Sequence, residues 1–257
     1  MTCLRTRRQF LGTLAGGAVT LLGCGSSSGP DDASGGGSAR LTARPTPPTS
    51  TVSPGTVQIT PENPNDGVLV VPSGYDATQP WPLILALHGA GGSPAGPVSL
   101  LGSLAESRGF LLLAVGARGL TWDVLTFKYS YDVTFIDGAL RWVFERCAVD
   151  PARIVIEGFS DGASYALGLA LANGDLFTRA IAFSPGFIPR SDSPPVGKPR
   201  FFDSHGRQDP VLGIDRASRR IVPTLKDRGY DVTYVEFDGG HAVPQDVATR
   251  AVSWMLG

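Results

Sequence analysis

The chain has 257 residues, of which 42% are hydrophobic and 18% are charged, and its formal net charge is -1. These proportions are typical of a soluble globular protein, and the length suits one large domain with appendages. We expect no nucleic-acid partner, because no run of Lys and Arg after the first residues could follow a phosphate backbone. The cysteines lie in separate sequence settings and do not indicate a disulfide framework.

The first residues resemble a bacterial export signal. Residues 6–11, TRRQFL, resemble a twin-arginine motif, and the apolar segment after them is too short to span a bilayer. Residues 21–24, LLGC, resemble a lipobox, in which the chain is cut before Cys24 and that cysteine carries lipid. We therefore expect a lipoprotein signal peptide over residues 1–23 and an exported envelope protein, periplasmic or on the outer surface, anchored through Cys24. A plain signal peptide with a coincidental cysteine is the alternative.

The composition changes sharply after the leader. Residues 24–54 consist mostly of Gly, Ser, Thr, Pro and Asp, with few side chains to bury, so they should not offset their ordering entropy. We predict a disordered, lipidated linker over residues 24–54 and a folded domain over residues 55–257.

Apolar runs alternate with helical patterns throughout the predicted domain. The predicted strands are 56–60, 67–71, 82–87, 110–115, 153–157, 178–183, 199–203 and 230–237, and the predicted helices are 100–108, 133–147, 161–172, 215–228 and 243–255. This alternation predicts an α/β fold with a mainly parallel sheet, helices on both faces and an antiparallel edge formed by the first two strands. Ligands of such sheets bind at the carboxyl ends of the strands.

One stretch has the strand, sharp turn and helix of a nucleophile elbow. A β-branched run leads into Gly158-Phe159-Ser160-Asp161-Gly162, and a helix-favouring segment follows. Residues 25–29, GSSSG, fit the same Gly-x-Ser-x-Gly pattern, but they lie in a polar tract with no strand before them. We therefore assign the nucleophile to Ser160 and discard residues 25–29.

Two further polar residues follow later strands. Asp209 and His241 come after Ser160 in the order Ser, Asp, His. A serine hydroxyl needs an imidazole to accept its proton, and the imidazole needs a carboxylate to fix its tautomer and stabilise its charge. Ser160, His241 and Asp209 can fill these three roles.

Other histidines and carboxylates compete for these roles. His88 and His205 each precede a glycine at a strand end, and we interpret both as residues that brace loops. Asp203 should lie inside its strand, and Asp238 is too close to His241 in sequence to reach it easily. These comparisons favour Asp209 and His241.

Four motifs together resemble the phospholipase/carboxylesterase branch of the α/β-hydrolases, near the secreted esterases grouped with polyhydroxybutyrate depolymerases and feruloyl esterases. They are residues 87–92, LHGAGG; 158–162, GFSDG; 205–211, HGRQDPV; and 239–241, GGH. The resemblance covers roughly residues 65 to 257. It implies an α/β-hydrolase fold, a Ser-His-Asp triad, and catalysis with no metal or organic cofactor.

The resemblance also implies an oxyanion hole. Backbone amides at Gly89 or Ala90 and at Asp161 would stabilise the tetrahedral intermediate. Many relatives have a small or apolar residue at the position of Asp161, so its carboxylate adds negative charge near the site and disfavours acidic substrates.

Aromatic residues in two loops are candidates for substrate binding. Trp122, Tyr129 and Phe187 should overlook Ser160 and could line an acyl or aromatic-acid pocket, or they could instead fix long loops on the core. Residues 186–198 are rich in Pro and Ser and could form a small lid, but they are too few for a large cap domain.

We conclude from the sequence that the protein is a serine esterase that cleaves a small or polymeric carboxylic ester through an acyl-enzyme on Ser160, and we expect it to act as a monomer. The alternatives are a carbohydrate or aromatic-acid (feruloyl-type) esterase, a polyester depolymerase, a serine peptidase, and a binding protein that has kept the fold without turnover.

Overall fold

The computed structural model describes residues 37–60, 63, 65–125 and 128–257. Its strands are β1 (Gly55–Gln58), β2 (Gly67–Val71), β3 (Trp81–Leu87), β4 (Leu111–Val115), β5 (Val149–Phe159), β6 (Arg179–Phe183), β7 (Arg200–Gly206) and β8 (Val232–Phe237). Its helices are α1 (Ala95–Arg108), α2 (Tyr131–Phe144), α3 (Asp161–Ala172), α4 (Ser218–Asp227) and α5 (Gln245–Leu256). The predictions for residues 1–36, including lipidation of Cys24, lie outside the described residues.

The strands form one sheet in the order β1-β2-β4-β3-β5-β6-β7-β8. Strands β3 to β8 pair in parallel, whereas β1 pairs with β2 and β2 with β4 in antiparallel register. The mainly parallel sheet with an antiparallel edge is therefore confirmed. Because β3, β5, β7 and β8 are parallel, the segments that follow them all lie at one edge of the sheet.

Each face of the sheet carries its own apolar core. Alternate residues of β5 show the division, since Ile154 and Ile156 pack on the face covered by α2, α3 and α4, and Val155 packs on the face covered by α1 and α5. Most side chains of the central strands are fully buried, as expected for strands covered on both faces. The sheet is therefore a rigid base for the segments at its edge.

Some helix bounds differ from the prediction. Helix α1 begins at Ala95, directly after Pro94. Its first turns were not predicted, because the glycine-rich sequence before residue 100 shows no helical pattern. Helix α2 ends at Phe144 rather than at Cys147, since the amides of Arg146 and Cys147 both turn back to the carbonyl of Val143. Helix α4 begins at Ser218, after a series of turns.

The segment of residues 37–54 differs from the predicted disordered linker. Ala39, Leu41 and Ala43 are buried in the core, with at most 2% of their surface exposed. Asp137 on α2 accepts the amides of Thr42 and Ala43 at 2.6 and 2.7 Å. Apolar residues at alternate positions are buried, and the Asp137 carboxylate accepts two backbone amides of the segment. This segment is therefore ordered, although its composition alone suggested disorder.

The connection between β6 and β7, residues 184–199, contains no helix or strand and is the longest loop that follows a parallel strand in the described residues. It contacts the N-terminal segment, where the amide of Gly37 donates to Asp192 at 2.6 Å and the amide of Ala39 donates to Ser193 at 3.1 Å. In the described part of the chain no cap domain covers the sheet edge. None of the helices described there is both long and apolar enough to cross a membrane.

Candidate active site

Ser160 lies in the sharp turn between β5 and α3. Its φ of 57° and ψ of -119° place a non-glycine residue in a region that costs about 1–3 kcal/mol. A Cβ on Gly158 would clash with the carbonyl of Gly162, and one on Gly162 would clash with the carbonyl of Leu87. The two glycines of the motif thus let the backbones pass closely, and the amide of Ser160 is held by the carbonyl of Phe183 at 2.9 Å.

The structure brings Ser160, His241 and Asp209 together from the ends of three strands. His241 Nε2 lies 2.8 Å from Ser160 Oγ, and His241 Nδ1 lies 2.6 Å from Asp209 Oδ2. Both separations are within hydrogen-bond reach, in the order hydroxyl, imidazole, carboxylate. This is the arrangement that nucleophilic catalysis by serine requires.

The Asp209 carboxylate is held on both oxygens. Oδ1 accepts the amides of Val211 and Leu212 at 2.8 and 2.9 Å, and Oδ2 faces His241 Nδ1, with His205 Nε2 also 3.3 Å from it. Burial by itself raises the pKa of Asp209, but the hydrogen bonds from His241 and from these two amides outweigh it, so that the pKa is lowered below its ordinary value. Asp209 therefore stays ionised, which an orienting carboxylate must do.

The competing carboxylates are placed differently. Asp203 is fully buried inside β7, and burial raises its pKa to about 7. Asp238 is largely exposed and pairs with Arg207 at 2.6 Å. Of Asp203, Asp209 and Asp238, Asp209 is the one in contact with His241.

The other histidines brace loops, in agreement with the sequence interpretation. His88 Nδ1 donates to the carbonyl of Gly89 at 2.7 Å, and its Nε2 accepts the amide of Ala117 at 3.1 Å. His205 Nε2 donates to the carbonyl of Leu212 at 2.6 Å, and its Nδ1 accepts the hydroxyl of Ser218 at 2.8 Å. Burial lowers the pKa of both imidazoles, so each fits these bonds as a neutral ring.

The loop after β3 comes close to Ser160. A Cβ on Gly89 would lie 3.3 Å from the Cβ of Ser160, so glycine permits this approach. Gly91 adopts a φ of 65°, and the amide of Gly92 bonds the carbonyl of Gly89, which makes a tight turn with Ala90 exposed at its tip. Gly89 and Ala90 therefore border the nucleophile from the side of the loop.

Asp161 is the first residue of α3, where helix amides have no partner inside the helix. Its amide directly follows Ser160, and the positive end of the helix dipole lies at the same place. Its carboxylate accepts the hydroxyl of Thr121 at 2.7 Å. The Asp161 carboxylate is thus held in place by a hydrogen bond from the loop that contains Thr121.

Two of the three aromatic candidates for substrate binding lie in the core. Trp122 is fully buried, donates from Nε1 to the carbonyl of His88 at 2.9 Å, and stacks on Tyr165 with ring centroids 5.2 Å apart. Tyr129 is 3% exposed and packs on the same Tyr165 ring. The structure therefore favours the alternative in which these rings fix the loop to the core.

Phe187 is 39% exposed and lines a cleft of about 460 Å³ between the loop of residues 186–195 and α4. The residues that line this cleft do not include Ser160, His241 or Asp209. The structure thus leaves Phe187 accessible, and its role in substrate binding stays a prediction.

Phe159 is a neighbour of His241 that was not predicted from the sequence. The ring of Phe159 packs against the imidazole with centroids 4.8 Å apart. The sequence did contain a signal for this contact, because Phe159 is an aromatic residue directly before the serine on a strand whose side chains alternate between faces. In the described residues, no group of three or more His, Cys, Asp or Glu side chains could hold a metal ion.

Comparison with known proteins agrees with this geometry. The model of the phospholipase/carboxylesterase family matches residues 134–253. Feruloyl esterase C of Emericella nidulans is 31% identical over 212 residues, which cover 70% of this chain and 77% of that protein. The fold and the site thus define an α/β-hydrolase. The chain belongs to the phospholipase/carboxylesterase family, and it is an enzyme that hydrolyses carboxylic esters.

Solved structures show the same fold. Esterase PE8 is 20% identical with a TM-score of 0.59, and the alignment covers 74% of this chain and 97% of that one. A ferulic acid esterase of Anaeromyces mucronatus, solved in complex with ferulic acid, is 17% identical with a TM-score of 0.52, covering 71% of this chain and 80% of that one. At these identities the likeness concerns the fold alone.

Proposed function

We propose that this esterase works through an acyl-enzyme on Ser160, with His241 as general base and acid and Asp209 as the orienting carboxylate. The observation that carries the proposal is the pair of contacts made by His241, 2.8 Å to Ser160 Oγ and 2.6 Å to Asp209 Oδ2. A single imidazole that joins a strained serine to a buried carboxylate has the geometry of proton transfer to and from that serine.

The reaction has two halves. Ser160 Oγ attacks the ester carbonyl while its proton passes to His241 Nε2, and the tetrahedral intermediate collapses as His241 returns that proton to the departing alcohol. Water then attacks the acyl-enzyme, gives its proton to His241, and releases the acid with the proton restored to Ser160 Oγ. Asp209 stays ionised throughout and stabilises the imidazolium.

The developing oxyanion is stabilised by backbone amides. The amide of Asp161 is at the start of α3, and the amide of Ala90 is at the tip of the turn beside Gly89. Such donors, preorganised where charge develops, typically contribute a factor of about 10²–10³ each to the rate.

The substrate class that we propose is an ester of an aromatic or other largely apolar acid with a carbohydrate alcohol. The support is the relative named feruloyl esterase, together with a sheet edge that no cap covers in the described residues, which leaves room for a bulky alcohol. Polyester hydrolysis is the second candidate, because an uncapped site also admits a polymer chain.

Steady-state hydrolysis of p-nitrophenyl acetate and of methyl ferulate by the full chain tests this function. We expect turnover of both esters and loss of turnover in Ser160→Ala. Ser27→Ala is the matched control, because Ser27 is the central residue of the other Gly-x-Ser-x-Gly sequence, and it should keep full activity. Hydrolysis that survives in Ser160→Ala would contradict the assignment of the nucleophile.

The location of the enzyme is a separate part of the proposal. The twin-arginine-like residues 6–11 and the lipobox-like residues 21–24 support export and anchoring through lipid on Cys24. Growth of a bacterial host with labelled palmitate should label the wild type in the membrane fraction and leave Cys24→Ser unlabelled. Equal labelling of the two proteins would contradict the lipid anchor.

A further inference from the structure

A cavity of about 400 Å³ opens beside His241, on the face of the sheet covered by α1 and α5. Its walls come from the loop after β3, the first half of α1, the end of β5 and the segment before α5. The residues that line it are Leu87, His88, Gly89, Ala90, Gly92, Ser93, Gly96, Pro97, Leu100, Glu157, Phe159, His241, Ala242 and Val243. Most of this surface is apolar, and its volume suits a small ligand.

Glu157 is a carboxylic acid in a wall that is mostly apolar. It lies in β5 between Val155 and Phe159, whose side chains belong to the core under α1 and α5. Its neighbours on the adjoining strands are Ala86 and Ile181, which offer no hydrogen bond from their side chains. Glu157 is 1% exposed, and its Oε2 atom has no hydrogen-bond partner among the described residues.

Burial raises the pKa of Glu157 to about 8, so that the group is a neutral carboxylic acid at neutral pH. In that form it can donate one hydrogen bond and accept another. Nearly all buried polar side chains in folded proteins have a partner, and one that lacks it costs stability. An apolar residue would suit the neighbours better, so the acid indicates a partner that enters the cavity.

The cavity also borders the imidazole of the site, although Ser160 and Asp209 are not among the residues that line it. His241 and the proposed oxyanion loop at Gly89 and Ala90 form part of its wall, and the Gly89 backbone is in contact range of Ser160. A group attached to Ser160 can therefore extend into it. A sugar alcohol is too polar for walls made of Leu87, Leu100 and Phe159, whereas the acyl part of an aromatic ester suits them.

We propose that this cavity binds the acyl group of the substrate, and that Glu157 at its wall hydrogen-bonds an uncharged polar substituent, such as a ring hydroxyl, on an otherwise apolar acyl group. This inference rests on the proposed function and adds to it a specificity-determining residue. Glu157 selects among acyl groups and takes no part in the bond-breaking steps.

Two methyl esters that differ by one hydroxyl test the role of Glu157. They are methyl cinnamate and methyl 4-hydroxycinnamate, assayed at about pH 7 with the wild type, Glu157→Gln and Glu157→Leu. We expect Glu157→Leu to lower kcat/KM for the hydroxylated ester by about tenfold or more relative to the plain ester, mainly through KM. Glu157→Gln keeps a donor and an acceptor and should retain most of the preference. An unchanged ratio of the two esters in Glu157→Leu would overturn the proposal.

Further measurements separate this inference from the proposed function and from misfolding. The ratio of the two cinnamate esters is the readout, because misfolding of a variant lowers both rates equally, and hydrolysis of p-nitrophenyl acetate shows whether each variant is folded. Leu100→Phe narrows the cavity without altering Glu157, and it should lower kcat/KM for both cinnamate esters by a larger factor than for the acetate. Equal losses for all three esters in Leu100→Phe would contradict acyl binding here, whereas no acetate turnover by the wild type would contradict the proposed function itself.

Discussion

Asp209 and His241 are joined by a hydrogen bond of 2.6 Å between Oδ2 and Nδ1, and the other carboxylate oxygen is already bound to two backbone amides. The carboxylate therefore cannot rotate without losing these bonds, and the imidazole keeps Nε2 directed at Ser160. The loop after β7 therefore sets the orientation of the His241 imidazole.

Asp209→Asn should lower kcat by about 10³–10⁴-fold, because the amide no longer stabilises the imidazolium or selects the tautomer that leaves Nε2 free. Asp238→Asn is the matched control, since Asp238 lies close to His241 in sequence but is exposed and paired with Arg207. The control should lose less than about twofold. Kinetics with p-nitrophenyl acetate measure both, and comparable losses in the two variants would show that the carboxylate has been assigned incorrectly.

Asp161→Asn should raise kcat/KM for anionic esters by about three- to tenfold relative to neutral esters, because it removes a negative charge beside the nucleophile and keeps the backbone amide. The gain should shrink at high salt. Thr121→Val removes the 2.7 Å hydrogen bond to Asp161 but keeps the charge, so it should show no such gain. Paired assays of methyl succinate and methyl butyrate measure the ratio, and an equal response in both variants would exclude the electrostatic cause.

A chain that begins at residue 45 should be less stable than one that begins at residue 37. It loses the buried Leu41 and its alanine neighbours, and it removes the three groups of Thr42 and Ala43 that hydrogen-bond Asp137. These losses should lower the free energy of unfolding by about 3–5 kcal/mol and Tm by about 6 °C or more. Leu41→Ala in the longer chain should reproduce about 2–3 kcal/mol of this. Thermal denaturation with equal Tm for the two chains would show that the segment adds no stability.

The stability contributed by Glu157 and Asp203 should fall as pH rises from about 5 to about 8. Burial raises the pKa of Glu157 from 4.5 to about 8 and that of Asp203 from 3.8 to about 7. In this window the folded state keeps protons that the unfolded state has lost, so each group contributes stability below its unfolded pKa and loses it as pH rises through the folded pKa. Each contributes a slope of up to about 1.4 kcal/mol per pH unit.

Urea denaturation at several pH values measures this slope. Glu157→Gln and Asp203→Asn cannot ionise, so the free energy of unfolding of the double variant minus that of the wild type should rise with pH across the same window. Parallel profiles for the two proteins would mean that neither acid is protonated in the folded state.

The sequence was sufficient to predict the sheet and the position of Ser160. Continuous apolar strands and the glycines at 158 and 162 allow few local structures, and the order Ser160, Asp209, His241 places all three at one edge once the strands are parallel. The sheet and the turn at Ser160 depend mainly on backbone geometry, which apolar runs and glycines in a sequence indicate directly.

Other features depend on packing that no local pattern contains. Trp122 and Tyr129 are equally compatible with a pocket or a core, and only the position of Tyr165 decides between them. The burial of Leu41 depends on Asp137 and Asn173, which lie far along the chain. Glu157 did carry a signal, because a charged residue in a strand buried on both faces is unusual, but its cavity is formed by separate segments.

Covalent labelling of the full chain with a fluorophosphonate, followed by mass spectrometry of its peptides, tests directly whether Ser160 is the activated nucleophile. We expect one label per chain on the peptide that contains Ser160, blocked by prior incubation with ester substrate, and no label in Ser160→Ala. His241→Ala, which keeps Ser160 but removes its base, should react far more slowly. A label on another serine, or labelling of Ser160 that does not depend on His241, would show that Ser160 is not activated by His241.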